Sequence, residues 1–351
     1  MPKLRLLRER FDDWDRFVLS RKDSTVYQTS QWLFIIKEAY GHQPCCILVE
    51  DWDGEFVGGL PLVIIRSNLT GTRLTSVPGG ETCNPLVGDL EVYDLLVAHL
   101  FELRRELGFK YVELRTSEDF GLAHPGLVRQ DMGLSTYLLG LDPPLDDIFS
   151  SFHSSCIRRP IRKSTENGLV LTAGQSEASL REFYTLYYAM RKGYGLLPQP
   201  YIFFSKMRSI MAPHGKIEIL SACHGGRTVS SVLLLKHGDM VHYEYGASLR
   251  GALHLHPSHF LLWAAIRRAK EEGFRTFNFG RTSDANESLS QFKARWGTRR
   301  QPLAYYHISG KAQTQSFRTS GLLQRLMSLS VRSLPDIFTR SLSKLLYPHL
   351  V

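Results

Sequence analysis

One stretch, from Ile217 to His307, constrains the fold more than any other part of the chain. Apolar runs, turn signals and helical spacing follow one another along it. The elements that this pattern predicts, in order, are a β-hairpin across Gly225-Gly226, an alternating strand from Val241 to Ser248, a loop that contains Pro257, a helix from Ser258 to Glu272 and a short strand from Phe274 to Phe279. Strands and a helix in this order indicate a mixed α/β domain.

Four short motifs in this stretch resemble those of the FemAB-like family within the GNAT superfamily of acyltransferases. They are Tyr243-Glu244-Tyr245-Gly246-Ala247-Ser248, Gly273-Phe274, Phe277-Asn278-Phe279-Gly280-Arg281 and Phe292-Lys293-Ala294-Arg295-Trp296-Gly297. Each motif alone is weak, and the resemblance rests on their order. Asn278 departs from the pattern, because the family has Asp there. Residue 278 therefore cannot act as a carboxylate base or ion-pair partner, and any such function is either absent or supplied by another residue.

Two segments of the chain resemble each other, which predicts a duplicated domain. The order of residues in 104–117 returns in 268–283, with Gly-Phe and Arg-Thr-Ser at matching places. The resemblance to the FemAB-like family also implies tandem GNAT-like domains. We place the seam in the turn-rich, acidic connector 140–147. The predicted parts are an N-terminal domain at 1–145, a catalytic domain at 146–310 and a basic helical tail at 311–351.

The formal net charge is +9, and more than half of the excess lies in the tail. The charged residues of the tail are Lys311, Arg318, Arg325, Arg332, Arg340 and Lys344 against Asp336. Leucines recur between them at helical spacing, which predicts basic amphipathic helices. Two interpretations stay open: a helical hairpin that covers the catalytic domain, or a contact with an anionic membrane surface.

The sequence shows neither a membrane span nor a leader peptide. No apolar run reaches the length of a bilayer-crossing helix, and residues 1–10 mix arginine with glutamate where a leader would turn apolar. The five cysteines form no Cys-x-x-Cys pair and leave an odd count, as expected for reduced thiols. We therefore expect a cytoplasmic protein, peripheral at the inner face of the membrane if the tail binds lipid.

In the strand from Val241 to Ser248, alternation predicts that Tyr243 and Tyr245 point to one side and Glu244 to the other. The resemblance implies that this strand splays from its neighbour and offers a backbone N–H to the oxyanion of acyl transfer. Tyr243 and Tyr245 match the paired aromatics of the family, and we take them as candidates for lining the substrate, with Glu244 as a candidate base. The alternatives are core tyrosines and a carboxylate that faces solvent.

Cations near the strand ends are candidates for binding an anionic substrate. Lys293 and Arg281 lie in the family-like motifs, and the resemblance associates the lysine with an anionic group of the substrate, commonly a phosphate. The alternative is a pair of surface cations. The other candidate substrate-binding residues lie in a basic stretch, at a helix end and in the last motif: Arg158, Arg162, Tyr188, Arg191 and Trp296.

The loop 249–257 lacks the Gln/Arg-x-x-Gly-x-Gly/Ala spacing with which acetyl-CoA-dependent GNAT enzymes bind pyrophosphate. This difference favours a larger acyl donor, such as an aminoacyl-tRNA or a different acyl carrier. We expect no bound cofactor, with the acyl donor (aminoacyl-tRNA or acyl-CoA) used as a co-substrate. His254, His256 and His259 have no Asp or Glu near them in the sequence, so we predict no metal site.

These features predict a transferase in which an acceptor amine directly attacks an activated acyl or aminoacyl ester or thioester. The resemblance implies a cell-wall precursor or a cell-surface polysaccharide as acceptor, and the Leu-rich tail is similar to that of FemAB-like proteins of exosortase and exopolysaccharide systems. The expected partners are an anionic lipid-linked glycan or polysaccharide precursor, tRNA and, through the tail, a membrane. Two alternatives are a conventional acetyl-CoA-dependent N-acetyltransferase and a non-catalytic scaffold that binds an anionic glycan lipid.

Overall fold

The computed structural model describes residues 2–117, 124–130, 132–309 and 331–351. Of these residues, those in 2–135, 301–309 and 346–351 form one compact unit, and those in 136–300 and 331–345 form a second. The chain thus changes unit after residue 135, earlier than the predicted seam. The segment 301–309, predicted to close the catalytic domain, belongs to the first unit because it pairs with a strand there. Residues 311–330 of the predicted tail lie outside the described part.

The described elements alternate between strands and helices along most of the chain. The strands are β1 (Lys3–Leu7), β2 (Gln43–Glu50), β3 (Phe56–Ile65), β4 (Arg73–Thr75), β5 (Leu86–Val87), β6 (Tyr111–Ser117), β7 (Val128–Gln130), β8 (Leu134–Gly140), β9 (Val170–Gly174), β10 (Ile217–His224), β11 (Arg227–His237), β12 (Met240–Ser248), β13 (Thr276–Asn278), β14 (Thr282–Ser283) and β15 (Arg299–Ser309). The α-helices are α1 (Asp12–Ser20), α2 (Ser30–Tyr40), α3 (Leu90–Glu106), α4 (Leu145–Ser151), α5 (Arg159–Glu166), α6 (Glu177–Gly193), α7 (Tyr201–Met211), α8 (Pro257–Glu271), α9 (Glu287–Ala294) and α10 (Asp336–Leu350). In the described ranges, no helix combines the length and the apolar character that crossing a bilayer requires.

The first unit is a mixed sheet with the strand order β1-β2-β3-β4-β6-β15. The hairpin of β2 and β3 turns at Gly54, whose φ of +83° suits glycine, as the Asp-Gly pair predicts. The third antiparallel strand, β4, leads through α3 to β6, which pairs with β4 in parallel. Asp89 caps the start of α3 by accepting a hydrogen bond from the N–H of Val92 at 2.9 Å.

The second unit has its own mixed sheet, with the strand order β8-β13-β12-β11-β10-β9. One face carries the main core, in which Val232 and Leu234 of β11 pack with Leu261 and Ala265 of α8. The other face is covered by α6 and α7, which contact β10 and, for α6, also β11 and β12. The sheet is thus buried on both faces, and helices hold the strands from either side.

Both units repeat one chain order, which confirms the tandem GNAT-like architecture. In each unit three antiparallel strands precede a long helix, and the strand after the helix pairs in parallel with the third strand. The helix-to-strand passages are α3 to β6 and α8 to β13, and these are the two segments that resemble each other in sequence. The repeated residues therefore mark the same structural position in each copy.

A buried charge cluster stabilises the sheet of the first unit. Glu113 accepts a hydrogen bond from Arg115 at 2.7 Å and lies 3.2 Å from the Nε2 of His307, and only 13% of its side chain is exposed. Burial by itself would raise the pKa of Glu113, but the opposite charge of Arg115 and the contact with His307 outweigh it and lower the pKa to about 2. Glu113 therefore stays ionised through mild acid.

Replacing Glu113 is expected to destabilise the protein strongly. Glu113→Gln should lower the free energy of unfolding by about 3 to 5 kcal/mol, because it leaves a buried cation without its partner. The stability that ionised Glu113 supplies is complete above its ordinary pKa of 4.5 and is lost as pH falls through its folded pKa of about 2. Urea unfolding at pH 7 and in acid should show this loss in the wild type, and the variant should lack it.

The exposed pair of Arg21 and Asp23 provides a matched control, since 55% of the Asp23 side chain is exposed. Asp23→Asn should change the free energy of unfolding by at most about 1 kcal/mol. Equal costs for the two substitutions would contradict the stabilising function of Glu113.

Candidate functional site

The second unit holds a cavity of about 630 Å³ where β12 leaves β13. The parallel pairing of these strands covers Met240, Val241 and His242, and β13 ends at Asn278 while β12 continues to Ser248. The walls come from β11, β12, the second half of α6, the segment 249–259 and α9, and they are mostly apolar. A cavity of this size accommodates a small ligand or the reactive end of a larger one.

The pairing of β12 with β11 contains one extra residue on β12, Glu244. Leu234 pairs with Tyr243 while the neighbouring Leu233 pairs with Tyr245, so the register shifts between them. Such a β-bulge bends the strand and redirects the side chains that follow. Tyr243 and Tyr245 consequently point to different faces, and the prediction that they share one side is wrong.

Tyr243 lines the cavity and packs against the core that α8 covers. Burial raises the pKa of its phenol to about 12, so the hydroxyl is protonated at neutral pH. The ring end lies directly on Gly246, because a Cβ added there would stand 1.8 Å from the Tyr243 Oη. Glycine at position 246 thus makes room for the tyrosine.

Tyr245 points into the aromatic cluster under α6 and α7. Its ring centroid lies 5.0 Å from that of Phe204 and 5.7 Å from that of Tyr187, and its hydroxyl donates to the Oε1 of Gln199 at 3.0 Å. Tyr245 is therefore half-buried in this cluster and has a satisfied hydroxyl, which is close to the alternative to substrate contact. Glu244, the candidate base, is half-buried at the bulge and does not belong to the cavity lining.

Lys293 brings a buried positive charge to the cavity, with 5% of its surface exposed. Its Nζ donates to the carbonyl of Gly280 at 2.7 Å and to that of Arg281 at 3.4 Å, and it lies 5.7 Å from the centre of the Tyr137 ring. The helix that carries it, α9, is capped by Asn286. A cation with little water around it acts on nearby negative charge more strongly than one at the surface.

Asn278 fixes the turn from which Lys293 is held. Its Oδ1 accepts hydrogen bonds from the N–H of Gly280 at 2.7 Å and from the Oγ1 of Thr136 at 2.8 Å, and its Nδ2 lies 3.4 Å from the Nδ1 of His242. Burial lowers the pKa of His242 to about 3, so its ring is neutral. The amide of Asn278 can both donate and accept hydrogen bonds, so it suits these neutral partners. An ionised carboxylate only accepts hydrogen bonds and could not donate one to His242.

The segment before α8 departs from helical geometry at one non-glycine residue. Residues 250–255 form a 3₁₀ turn, His256 takes a left-handed φ of 57°, and Pro257 starts the helix. The left-handed conformation costs a histidine on the order of 1–3 kcal/mol, which the surrounding packing must offset. It directs the chain so that Ser258, in the first turn of α8, lines the cavity. The positive end of the helix dipole therefore faces the cavity.

Three serines that the sequence did not single out connect across the cavity wall. The Oγ of Ser248 lies 2.7 Å from that of Ser230 and 3.0 Å from that of Ser258, and all three residues line the cavity. Ser248 closes the motif that begins at Tyr243, so its position was available from the sequence. Its partners come from a neighbouring strand and a helix, which only the tertiary structure brings to it.

Two of the three clustered histidines line the cavity, His256 and His259, with ring centroids 5.8 Å apart. Burial is the main cause that lowers the pKa of His259 to about 4. Its ring stacks on Trp296 at a centroid distance of 6.1 Å, so it is held as part of the wall. Within the described ranges, no three His, Cys, Asp or Glu side chains converge as metal ligands would.

The cavity lining does not include Arg281, Arg158, Arg162 or Trp296. Arg281 contributes its carbonyl to Lys293, and its side chain is exposed. Arg158 is half-buried in the π turn before α5, and the guanidinium of Arg162 lies 5.8 Å from the ring of Phe149. Trp296 is fully buried in the core.

Tyr188 and Arg191, at the end of α6, hold neighbouring segments of the second unit. The Tyr188 hydroxyl donates to the carbonyl of Asp336 at 3.2 Å, at the start of α10. The Nη2 of Arg191 donates to the carbonyl of Leu197 at 3.1 Å and so closes the loop that follows α6. The structure places both residues outside the cavity lining, whereas the preceding turns of α6 contribute Leu186, Ala189 and Met190 to it.

Comparisons with known proteins agree with this geometry. Residues 151–294 match the family model described as an acetyltransferase (GNAT) domain. A UDP-N-acetylmuramoylpentapeptide-lysine N(6)-alanyltransferase from Weissella viridescens is 22% identical over 276 residues, which cover 71% of this chain and 80% of that protein. A crystal structure of FemX matches 92% of this chain and 100% of its own, at a TM-score of 0.73 and 17% identity. The structure of a tandem GNAT protein from the clavulanic acid biosynthesis pathway matches 89% of this chain and 100% of its own, at a TM-score of 0.52 and 13% identity.

Substituting Gly246 is expected to disrupt the cavity. Gly246→Ala would push the Tyr243 ring out of place and should cost about 1–3 kcal/mol of stability, as overpacking does. Calorimetry should show a lower unfolding temperature, and ligand binding to the cavity should weaken. Gly251→Ala is the control, because a Cβ there meets nothing within 4 Å. If both variants behaved alike, the close packing of Tyr243 on Gly246 would have no energetic importance.

Proposed function

The chain belongs to the FemAB-like branch of the GNAT superfamily of acyltransferases, and we propose that it transfers an activated acyl or aminoacyl group to an amine of an anionic cell-wall or cell-surface polysaccharide precursor. The enzyme class follows from the GNAT domain and from the similarity to an alanyltransferase. This membership favours catalysis over the non-catalytic scaffold hypothesis. Our proposal concerns the chemical identity of the acyl donor and of the acceptor.

One observation carries the proposal: a buried lysine lines the cavity that opens where β12 and β13 separate. Strand separation gives a substrate access to the backbone of β12, which in a closed sheet would be covered by the next strand. Lys293 supplies positive charge at the same place. A group that becomes negative during a reaction is stabilised there without reorganisation of the protein, and this is the largest single source of catalysis in many enzymes.

The reaction that suits this cavity is a direct aminolysis. The lone pair of the neutral acceptor amine forms a C–N bond with the carbonyl carbon of the donor, and the carbonyl oxygen becomes an oxyanion beside Lys293. The oxyanion then reforms the C=O bond and expels the alcohol oxygen or thiol sulfur of the donor, which takes up the proton lost by the amine. A pKa of about 4 makes His259 a weak base, so we assign the proton to the leaving group.

We propose a peptide or glycan precursor that carries phosphate as the acceptor. The similar protein from Weissella viridescens is named for alanyl transfer to the lysine of a UDP-linked muramoyl pentapeptide, which combines an amine with a diphosphate. Arg250 lines the cavity and is exposed, so its side chain is available to such a phosphate at the entrance. An amino sugar of a cell-surface polysaccharide precursor offers the same pair of groups.

A second candidate, acetyl-CoA-dependent N-acetylation, is favoured by one observation. The first turn of α8 faces the cavity through Ser258, and helix N-termini bind phosphate well. Against it stands the segment 250–255, which is wound into a 3₁₀ turn where acetyl-CoA-dependent GNAT enzymes have a glycine-rich phosphate loop. We therefore propose an aminoacyl-tRNA or a larger acyl thioester as donor, used as a co-substrate.

Thermal unfolding with candidate donors tests this choice. A ligand that binds only the folded protein stabilises it by about 2.7 kcal/mol at a hundredfold excess over its Kd. A higher midpoint with charged but not with uncharged tRNA would support aminoacyl transfer. A higher midpoint with acetyl-CoA and with no larger donor would overturn our proposal in favour of acetylation.

Removing the charge of Lys293 is expected to slow acyl transfer about 10²–10³-fold, the effect of losing one oxyanion-stabilising donor. Lys293→Met keeps the length of the side chain, and the rate should be measured per folded molecule at saturating donor. Lys270→Met is the matched control, because Lys270 also donates to a backbone carbonyl, that of Asp142 at 3.0 Å, but lies outside the cavity lining. Equal rates for the two variants would remove Lys293 from the mechanism.

A further inference from the structure

Several large apolar side chains of helix α10 are exposed, whereas two of its small polar side chains are buried. Ile337, Phe338 and Leu345 are 71%, 61% and 65% exposed, whereas Thr339 and Ser343 are 0% and 2% exposed. A helix that only covers a globular core shows the opposite arrangement, with its apolar side chains inward. The outward face of α10 is therefore not explained by the packing of the second unit.

Polar contacts hold the inner face of α10 in place. The Oγ of Ser343 donates to the carbonyl of Pro198, and the carbonyl of Asp336 accepts from the Tyr188 hydroxyl at 3.2 Å. The Nζ of Lys192 forms an ion pair with the carboxylate of Asp336 at 2.5 Å. These contacts attach the inner side of the helix and leave Ile337, Phe338 and Leu345 on its outward face.

Two cations border the apolar side chains on the same helix. Arg340 and Lys344 are one turn apart and exposed, and Ile337 lies one turn before the first of them. The guanidinium of Arg340 lies 4.6 Å from the centre of the Tyr188 ring, which fixes its position at the border of the apolar face. The acidic group of this helix, Asp336, is already neutralised by Lys192. The exposed side of α10 thus combines large apolar side chains with two cations along one edge.

We propose that α10 docks the protein on an anionic lipid surface. Ile337, Phe338 and Leu345 would enter the boundary between headgroups and acyl chains, while Arg340 and Lys344 contact lipid phosphates. Amphipathic helices that lie in a membrane interface combine these two features, a buried apolar face and basic residues at headgroup level. This arrangement would bring the catalytic unit to lipid-linked molecules, but it does not depend on which group the enzyme transfers.

Vesicle sedimentation with the full chain tests the proposal. We expect binding to phosphatidylglycerol vesicles, little binding to phosphatidylcholine vesicles, and release by salt because exposed charges are screened. The double variant F338E/L345E should bind phosphatidylglycerol vesicles at least about tenfold more weakly, and R340Q/K344Q should lose the preference for the anionic lipid. The unfolding temperature of F338E/L345E should stay at the wild-type value, since both side chains are exposed, and that of R340Q/K344Q should fall only slightly through loss of the contact of Arg340 with Tyr188.

Trp52→Glu provides the control, because Trp52 is 80% exposed but lies on the first unit, outside α10. Vesicle binding should be unchanged in this variant. Failure of the wild type to bind phosphatidylglycerol vesicles, or equal binding by F338E/L345E, would overturn the proposal. Sedimentation velocity covers the remaining outcome: a wild-type dimer that F338E/L345E converts to monomers, without vesicle binding, would show that a second copy covers this face.

Discussion

The separation of β12 from β13 after His242 is the constraint on which the site depends. Beyond that residue β12 has β11 on one side and the cavity on the other, so part of its edge is available to a substrate. The bulge at Glu244 lies immediately after the separation and decides which side chains reach the cavity. Tyr243 reaches it and Tyr245 does not, although the two residues stand in one motif.

Backbone carbonyl groups accept hydrogen bonds from the cation of the site. Lys293 is bonded to the carbonyl of Gly280, Gly280 is fixed by Asn278, and Asn278 is matched to the neutral ring of His242. A buried charge is costly unless polar groups surround it, and the carbonyl oxygens of Gly280 and Arg281 are two such groups around Lys293. The exchange of the family's aspartate for Asn278 preserves this arrangement, since a carboxylate would introduce a second charge next to it.

The basic residues of the second unit occupy two different environments. Lys293 is buried and lines the cavity. Arg340 and Lys344 are exposed on α10, where water and salt weaken their fields and where only a surface with many negative charges attracts them well. In our proposals Lys293 stabilises the negative charge of a reacting group, whereas Arg340 and Lys344 contact the phosphates of a membrane that carries the substrate.

The sequence by itself determined the order of the elements, because apolar periodicity and turn residues are local signals. The hairpin at Gly225, the helix before Gly273 and the repeated segment in the first unit all lie where these signals predict them. Local signals do not decide the side to which Tyr245 points, because one extra residue of β12 in its pairing with β11 reverses that side. Neighbours that are distant in the chain also bring Ser230, Ser248 and Ser258 into contact. They likewise decide which side chains of α10 face outward. Only the tertiary structure decided them, because burial and pairing are properties of the packed units and not of the segment alone.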